Sequence, residues 1–188
     1  MSLKQLVDVF ELNSVVSAAA NFDFEKLKWY NHKHIQEKSS EKLLNDILEL
    51  MPHLADLNQL KLIKAIELVK ERATTLVDLW ALAEYLFFSP KQYNDKARNK
   101  VSLEVVKKLI TLCQDLEGRN ANKTNLLALI KNWSNENNIP LGKVLISIRI
   151  IVVGEPSGID LDKILSFIGF DEFVSVSYTH LTLPTTRL

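Results

Sequence analysis

Cysteine is almost missing from this chain: Cys113 is the only one in 188 residues. A single thiol excludes an intrachain disulfide framework and leaves the hydrophobic core to hold the fold. Charge of one sign is missing too, because 23 basic residues balance 23 acidic ones. A tight stand-alone nucleic-acid binder usually carries a basic footprint, so the balance fits a module that adds a few contacts to a larger protein. No uninterrupted apolar run approaches the roughly 18–20 residues that cross a bilayer. The longest, residues 144–153, is interrupted by Ser147 and Arg149. The N-terminus has no secretory pattern, since residues 1–10 already alternate like an amphipathic helix. These absences together imply a cytoplasmic, reducing setting, with no membrane as partner.

Catalytic equipment is equally scarce. The chain has five glycines and no glycine-rich phosphate loop. His32 and His34 are two apart on a helical segment and face different ways, so they cannot share a metal. His53 has no ligand partner at metal spacing. No nucleophile–base pair is spaced for catalysis. No catalytic residue, metal ligand or cofactor is therefore assigned within this chain.

What is present is helical periodicity. The apolar share is 47%, enough for a real core. Ser2 can cap a first helix to about Glu11, and residues 13–20 form a short second segment rich in small residues. In residues 21–35, Phe24, Leu27, Asn31 and Ile35 fall on one stripe, with the amide of Asn31 where an apolar residue is expected. Ser39 or Ser40 caps the next helix and Pro52 breaks it. A longer helix is expected from about Asp56 to Arg72, and another after Thr74 or Thr75. In the latter, Leu76, Leu79, Trp80, Ala83, Leu86 and Phe87 form a regular stripe, stopped by Ser89-Pro90. Residues 91–100 are polar, with Lys91, Lys96, Arg98 and Lys100 against one acid, Asp95, and read as a connection. Ser102 caps a helix ended by Gly118, with Val106, Leu109, Ile110 and Cys113 on its apolar face. Residues 122–137 form another, with Leu126, Leu129, Ile130 and Trp133 on one side.

Residues 139–170 are the most apolar part of the chain, and Arg149 sits inside them. A lone cation in such a run is costly unless it is paired or faces a ligand. Local propensity alone makes residues 144–153 a strand, because they are crowded with β-branched side chains. Gly154, Pro156 and Gly158 then form a turn, and Asp160 is placed to cap a short helix carrying Leu161, Ile164, Leu165 and Ile168.

Two stretches resemble bacterial glutamyl-tRNA synthetases. One holds Gly142, Lys143, Arg149, Gly154, Leu161 and Ile168-Gly169, and is similar to the anticodon-binding region near that family's C-terminus. The other holds Asp23, Lys26 or Glu25, Leu27, Trp29 and Asn31, and looks like the connector that follows the family's catalytic body. The resemblance spans nearly all of residues 1–175. It implies an all-α fold in two consecutive helical subdomains, residues 1–100 and 101–175, and a helix rather than a strand over 144–153. The tail, residues 176–188, has no helical period and resembles translated sequencing-library adapter, so it is set apart as a non-native extension.

The resemblance also implies function. The two signature motifs of class I synthetases, one like His-Ile-Gly-His and one like Lys-Met-Ser-Lys-Ser, are absent, so this chain alone is not expected to charge tRNA. The implied role is recognition of the tRNA(Glu) anticodon for a parent glutamate–tRNA ligase, whose missing N-terminal part would bind ATP and Mg²⁺. A monomer that binds no DNA is expected. Arg72 and Arg149 match arginines that contact anticodon bases in the family, and Gly158, Ile159 and Leu161 match the rest of the pocket. Arginine stacking and hydrogen bonds to unstacked loop bases are how RNA sequence is usually read. Plainer roles exist for both: Arg72 as a helix C-terminal residue favoured by the dipole, Arg149 as half of an ion pair between the last helices. The alternative for the whole chain is a helical adaptor that binds a protein through Trp29, Trp80 and Trp133.

Overall fold

The computed structural model of the chain describes residues 3–15, 21–90, 97, 100, 103–118 and 125–182. Among them there is no strand. The helices are α1 (Leu3–Val9), α2 (Phe24–Glu37), α3 (Ser40–Leu50), α4 (Gln59–Val69), α5 (Leu76–Ala83), α6 (Leu103–Gly118), α7 (Leu126–Glu136), α8 (Leu141–Val153) and α9 (Leu161–Thr182). Short 3₁₀ turns follow α3 (Pro52–Asp56) and extend α5 (Glu84–Leu86).

Polar caps fix where most of these helices begin. Asp23 accepts from the amides of Glu25 and Lys26, Ser39 from Lys42, Asn58 from Lys61, Thr75 from Asp78 and Asn125 from Ala128. Each satisfies an amide that has no partner inside its own helix. α4 starts at Gln59 and ends at Val69, three residues inside the expected span at each end, because Asn58 supplies the cap and the chain turns after Lys70. α5 hands over to its 3₁₀ turn after Ala83 instead of running on to Phe87.

The core is continuous from Ile35 on α2 to Val174 on α9. α3, α4 and α5 pack on one another; α6, α7, α8 and α9 do the same. The two groups meet where the Glu84–Leu86 turn touches α8 and α9. There the Phe87 ring lies edge-on to Phe167, 6.0 Å between centroids. Cys113 is buried in this core.

α8 is helical against its own β propensity. Val144, Ser147, Ile148, Ile150, Ile151 and Val152 are all buried on it, so apolar contact surrounds it on most sides. A helix that is apolar all round is stable only inside a protein. With no strand beside it, hydrogen bonding within the helix is the way to satisfy its buried amides. Gly154 ends it in the left-handed conformation (φ 83°), its N–H bonded to Ile150 O at 2.8 Å.

The two ends of the chain hold features that the sequence patterns do not convey. The apolar residues of α1 are exposed, as are Phe24, Leu27 and Trp29 on α2; only Ile35, near the end of the predicted α2 stripe, is buried. At the other end, α9 continues through Thr182 although residues 176–182 lack a helical period. Nothing in that stretch breaks a helix before Pro184, and Val176 and Ser177 are buried. The real interruption of α9 comes earlier, at Gly169 (φ 78°, ψ 176°). That backbone region is essentially reserved for glycine.

Candidate functional site

The α4–α5 corner is tied down by α2. Arg72 N–H closes the corner on Val69 O (2.9 Å), and Ala73 behind it is fully buried. Asn31 donates its amide to Thr74 O. His32 Nδ1 lies 2.7 Å from Ala73 O, and Gln36 Nε2 lies 2.9 Å from His32 Nε2. A carbonyl can only accept, so Nδ1 carries the hydrogen and Nε2 of the neutral ring accepts from Gln36. On the other side Asp78 accepts from the Thr74 amide (2.8 Å) and hydroxyl (3.1 Å). The odd amide in the predicted stripe, Asn31, thus holds the segment that presents Arg72. Arg72 itself is exposed, and among the described residues it has no carboxylate at ion-pair distance.

The facing wall comes from the turn between α8 and α9. Arg149, half-buried on α8, donates from Nη1 to Ile159 O at 2.6 Å. Its guanidinium is therefore held by a backbone carbonyl and not by an acid, so the ion-pair role does not apply among the described residues. Gly158 (φ 146°) lies beside it: a Cβ there would come within 3.5 Å of Nη1. The backbone angle, more than the space, requires glycine at this position.

Between the walls lies a cleft of about 390 Å³, lined by Arg72, Ala81, Leu82, Glu84, Tyr85, Phe88, Ser89, Pro90, Val153, Glu155, Ser157, Gly158 and Ile159. Three of the five sequence-predicted residues, Arg72, Gly158 and Ile159, therefore meet at one place. Arg149 is not in the lining; it sits behind the turn and holds it. Leu161 is buried at the start of α9 and does not reach the cleft. Lys96 and Arg98 of the basic connection, which the sequence reading leaves out of the site, lie outside the described residues.

Tyr85 and Phe88 were not singled out from the sequence. Both lie off the apolar stripe of α5, and a ring placed off the stripe next to Ser89-Pro90 was the available signal. The Tyr85 hydroxyl is enclosed, with no hydrogen-bond partner among the described residues. Burial pushes its pKa up to about 12 from 10.0, against the pull of the Arg149 and Arg72 charges. The folded state thus holds this proton more tightly than the unfolded state does. Its contribution is intact below about pH 10 and is lost as pH climbs from about 10 towards 12. Tyr85→Phe is expected to flatten that loss. Urea midpoints of the two chains at pH 8 and at pH 11 measure it, and parallel shifts would remove Tyr85 as the cause.

The tryptophans do not form one surface. Trp133 is buried in the core, Trp80 packs against Phe87 at 5.8 Å, and Trp29 alone is well exposed. The adaptor reading through all three is therefore set aside. Among the described residues, no group of three His, Cys, Asp or Glu is placed to hold a metal ion. Nor is any helix long and apolar enough to cross a membrane.

A family model described as "Anticodon binding domain" matches residues 46–175. The chain belongs to that family. The match begins within α3 and ends inside α9, so it takes in both walls of the cleft. Glutamate–tRNA ligases of Flavobacterium psychrophilum and Flavobacterium johnsoniae are 33% and 32% identical to the chain over 178 residues. Each alignment covers 93% of this chain and 35% of the relative. A crystal structure of a glutamate tRNA ligase from Elizabethkingia meningosepticum, in complex with its amino acid, superposes with a TM-score of 0.82 at 27% identity. It covers 96% of this chain and 36% of that one. This anticodon-binding domain thus spans about a third of the length of the relatives it matches, and corresponds to their C-terminal part.

Proposed function

We propose that this domain selects tRNA(Glu) by its anticodon, on behalf of a glutamate–tRNA ligase that couples ATP to aminoacylation in the cytoplasm. ATP and Mg²⁺ would act in the part of the relatives that this chain does not match, and the domain itself would work as a monomer. The observation that carries the reading is the cleft, where an exposed arginine from the α4–α5 corner faces the Gly158–Ile159 backbone within the matched region. Glu84 and Glu155 in the same lining disfavour a phosphate. They leave the uncharged edges of unstacked bases as the better occupant, and an anticodon offers such bases. Selection would come from polar groups that a wrong base leaves unpaired.

The test is binding of the full 188-residue chain to a tRNA(Glu) anticodon stem-loop and to a copy with one anticodon base changed, at one fixed salt concentration. A preference of roughly 5-fold or more for the unaltered loop is expected, since one mismatched contact costs about 1–3 kcal/mol. Equal binding to both loops, erased by salt, would reduce the interaction to loose phosphate attraction.

A further inference from the structure

We infer that Phe88 is the stacking platform on which the cleft receives one unstacked base. The inference rests on the anticodon reading and adds a specificity-determining residue to it. The aromatic side chains near Phe88 are used in packing: Phe87 lies between Trp80 and Phe167, and Tyr85 is largely covered. Phe88 is different. It is 45% exposed, although it belongs to the segment that joins the two helix groups. Its exposed ring lines the cleft. Its amide bonds to Glu84 O at 3.0 Å, so the backbone beneath the ring is fixed by the turn.

The surroundings define what the ring receives. Arg72 supplies hydrogen-bond donors, and among the described residues no carboxylate lies at ion-pair distance from it. Glu84 and Glu155 turn away a phosphate. The lining also holds Gly158, which has only its backbone to present and so offers hydrogen-bonding groups without charge. An aromatic face, a cation and a neutral backbone edge together suit a flat, polar-edged, uncharged ring. A nucleobase has those properties, and every base has a π-face that stacks on an aromatic side chain.

The experiment compares the native chain with Phe88→Leu and Phe88→Trp against the anticodon stem-loop and its one-base variant, at two salt concentrations. Phe88→Leu keeps apolar bulk and removes the aromatic face; it is expected to weaken binding of the unaltered loop roughly 5- to 150-fold, the range for loss of one base–aromatic stack. The same factor is expected at both salt concentrations, because no phosphate contact is removed. Phe88→Trp is expected to bind at least as tightly as the native chain. Urea midpoints of both variants should match the native one, which separates stacking from a structural role. Phe88→Leu binding within twofold of the native chain, while the native chain still distinguishes the loops, would overturn the platform and leave the anticodon reading standing. A native chain that does not distinguish the loops would overturn both.

Discussion

Arg149→Ala is expected to weaken stem-loop binding roughly 10- to 150-fold and to blur discrimination at every anticodon position together. The guanidinium does not line the cleft; it donates to Ile159 O at 2.6 Å from behind the turn. A hydrogen bond from a charged donor contributes about 1.5–3 kcal/mol, and removing it leaves the carbonyl without its partner. The Gly158–Ile159 wall then loses the contact that sets its position. Misplaced recognition groups weaken all contacts made by that wall, not a single one. The resemblance assigns Arg149 to a base, whereas the bond to Ile159 O supports a positioning role. The two roles separate experimentally. A base-reading arginine, once removed, lowers discrimination at one anticodon position and spares the others. A turn-holding arginine lowers it everywhere, and Arg149→Lys, which can still donate one hydrogen bond, recovers part of the loss. Binding of a panel of loops, each changed at one position, gives the answer; a loss confined to one position would return Arg149 to direct readout.

Phe173→Ala is expected to be the more damaging change to stability. Phe173 is 1% exposed and among the largest fully buried side chains. It lies past the Gly169 break, on the part of α9 closest to the tail. Truncating a buried phenylalanine costs about 3–5 kcal/mol through lost burial and the cavity left behind. For a chain of this size that lowers the melting temperature by roughly 6–20 °C. Glu172→Ala, one residue away and exposed, should stay within about 0.5 kcal/mol of native. Urea titrations with unchanged slope provide the comparison. A Phe173→Ala chain within about 1 kcal/mol of native would mean that the second half of α9 is not part of the cooperative core.

Much of this architecture is legible in the residues, and the exceptions have physical causes. Caps at Ser39 and Thr75 are local, so the sequence reveals them. The helix at 144–153 is not local. Its β-branched side chains favour a strand, and burial among other helices, visible only in three dimensions, decides against it. The resemblance supplied that helix where propensity did not. The Asn31 amide stood out because it interrupted a stripe, yet its partner, Thr74 O, is a backbone atom that no side-chain pattern encodes. Arg72, Gly158 and Ile159 came from matched positions, and their meeting in one cleft depends on how the two helix groups pack. Phe88 escaped notice because an aromatic residue directly after a core stripe reads as more core, although it lies off that stripe; its exposure sets it apart.

The burial of α8 on nearly every side reaches beyond stability. A helix wedged among α6, α7 and α9 cannot slide or rotate unless its neighbours repack. Arg149 is therefore carried on a stiff beam, and the turn it grips inherits that stiffness. On the anticodon reading, the protein arrives already shaped and little of its own freedom is lost on contact. The work of conforming falls on the RNA, whose bases must leave their stack to enter. Loops that are already splayed in solution then hold an advantage over well-stacked ones before any base edge is compared.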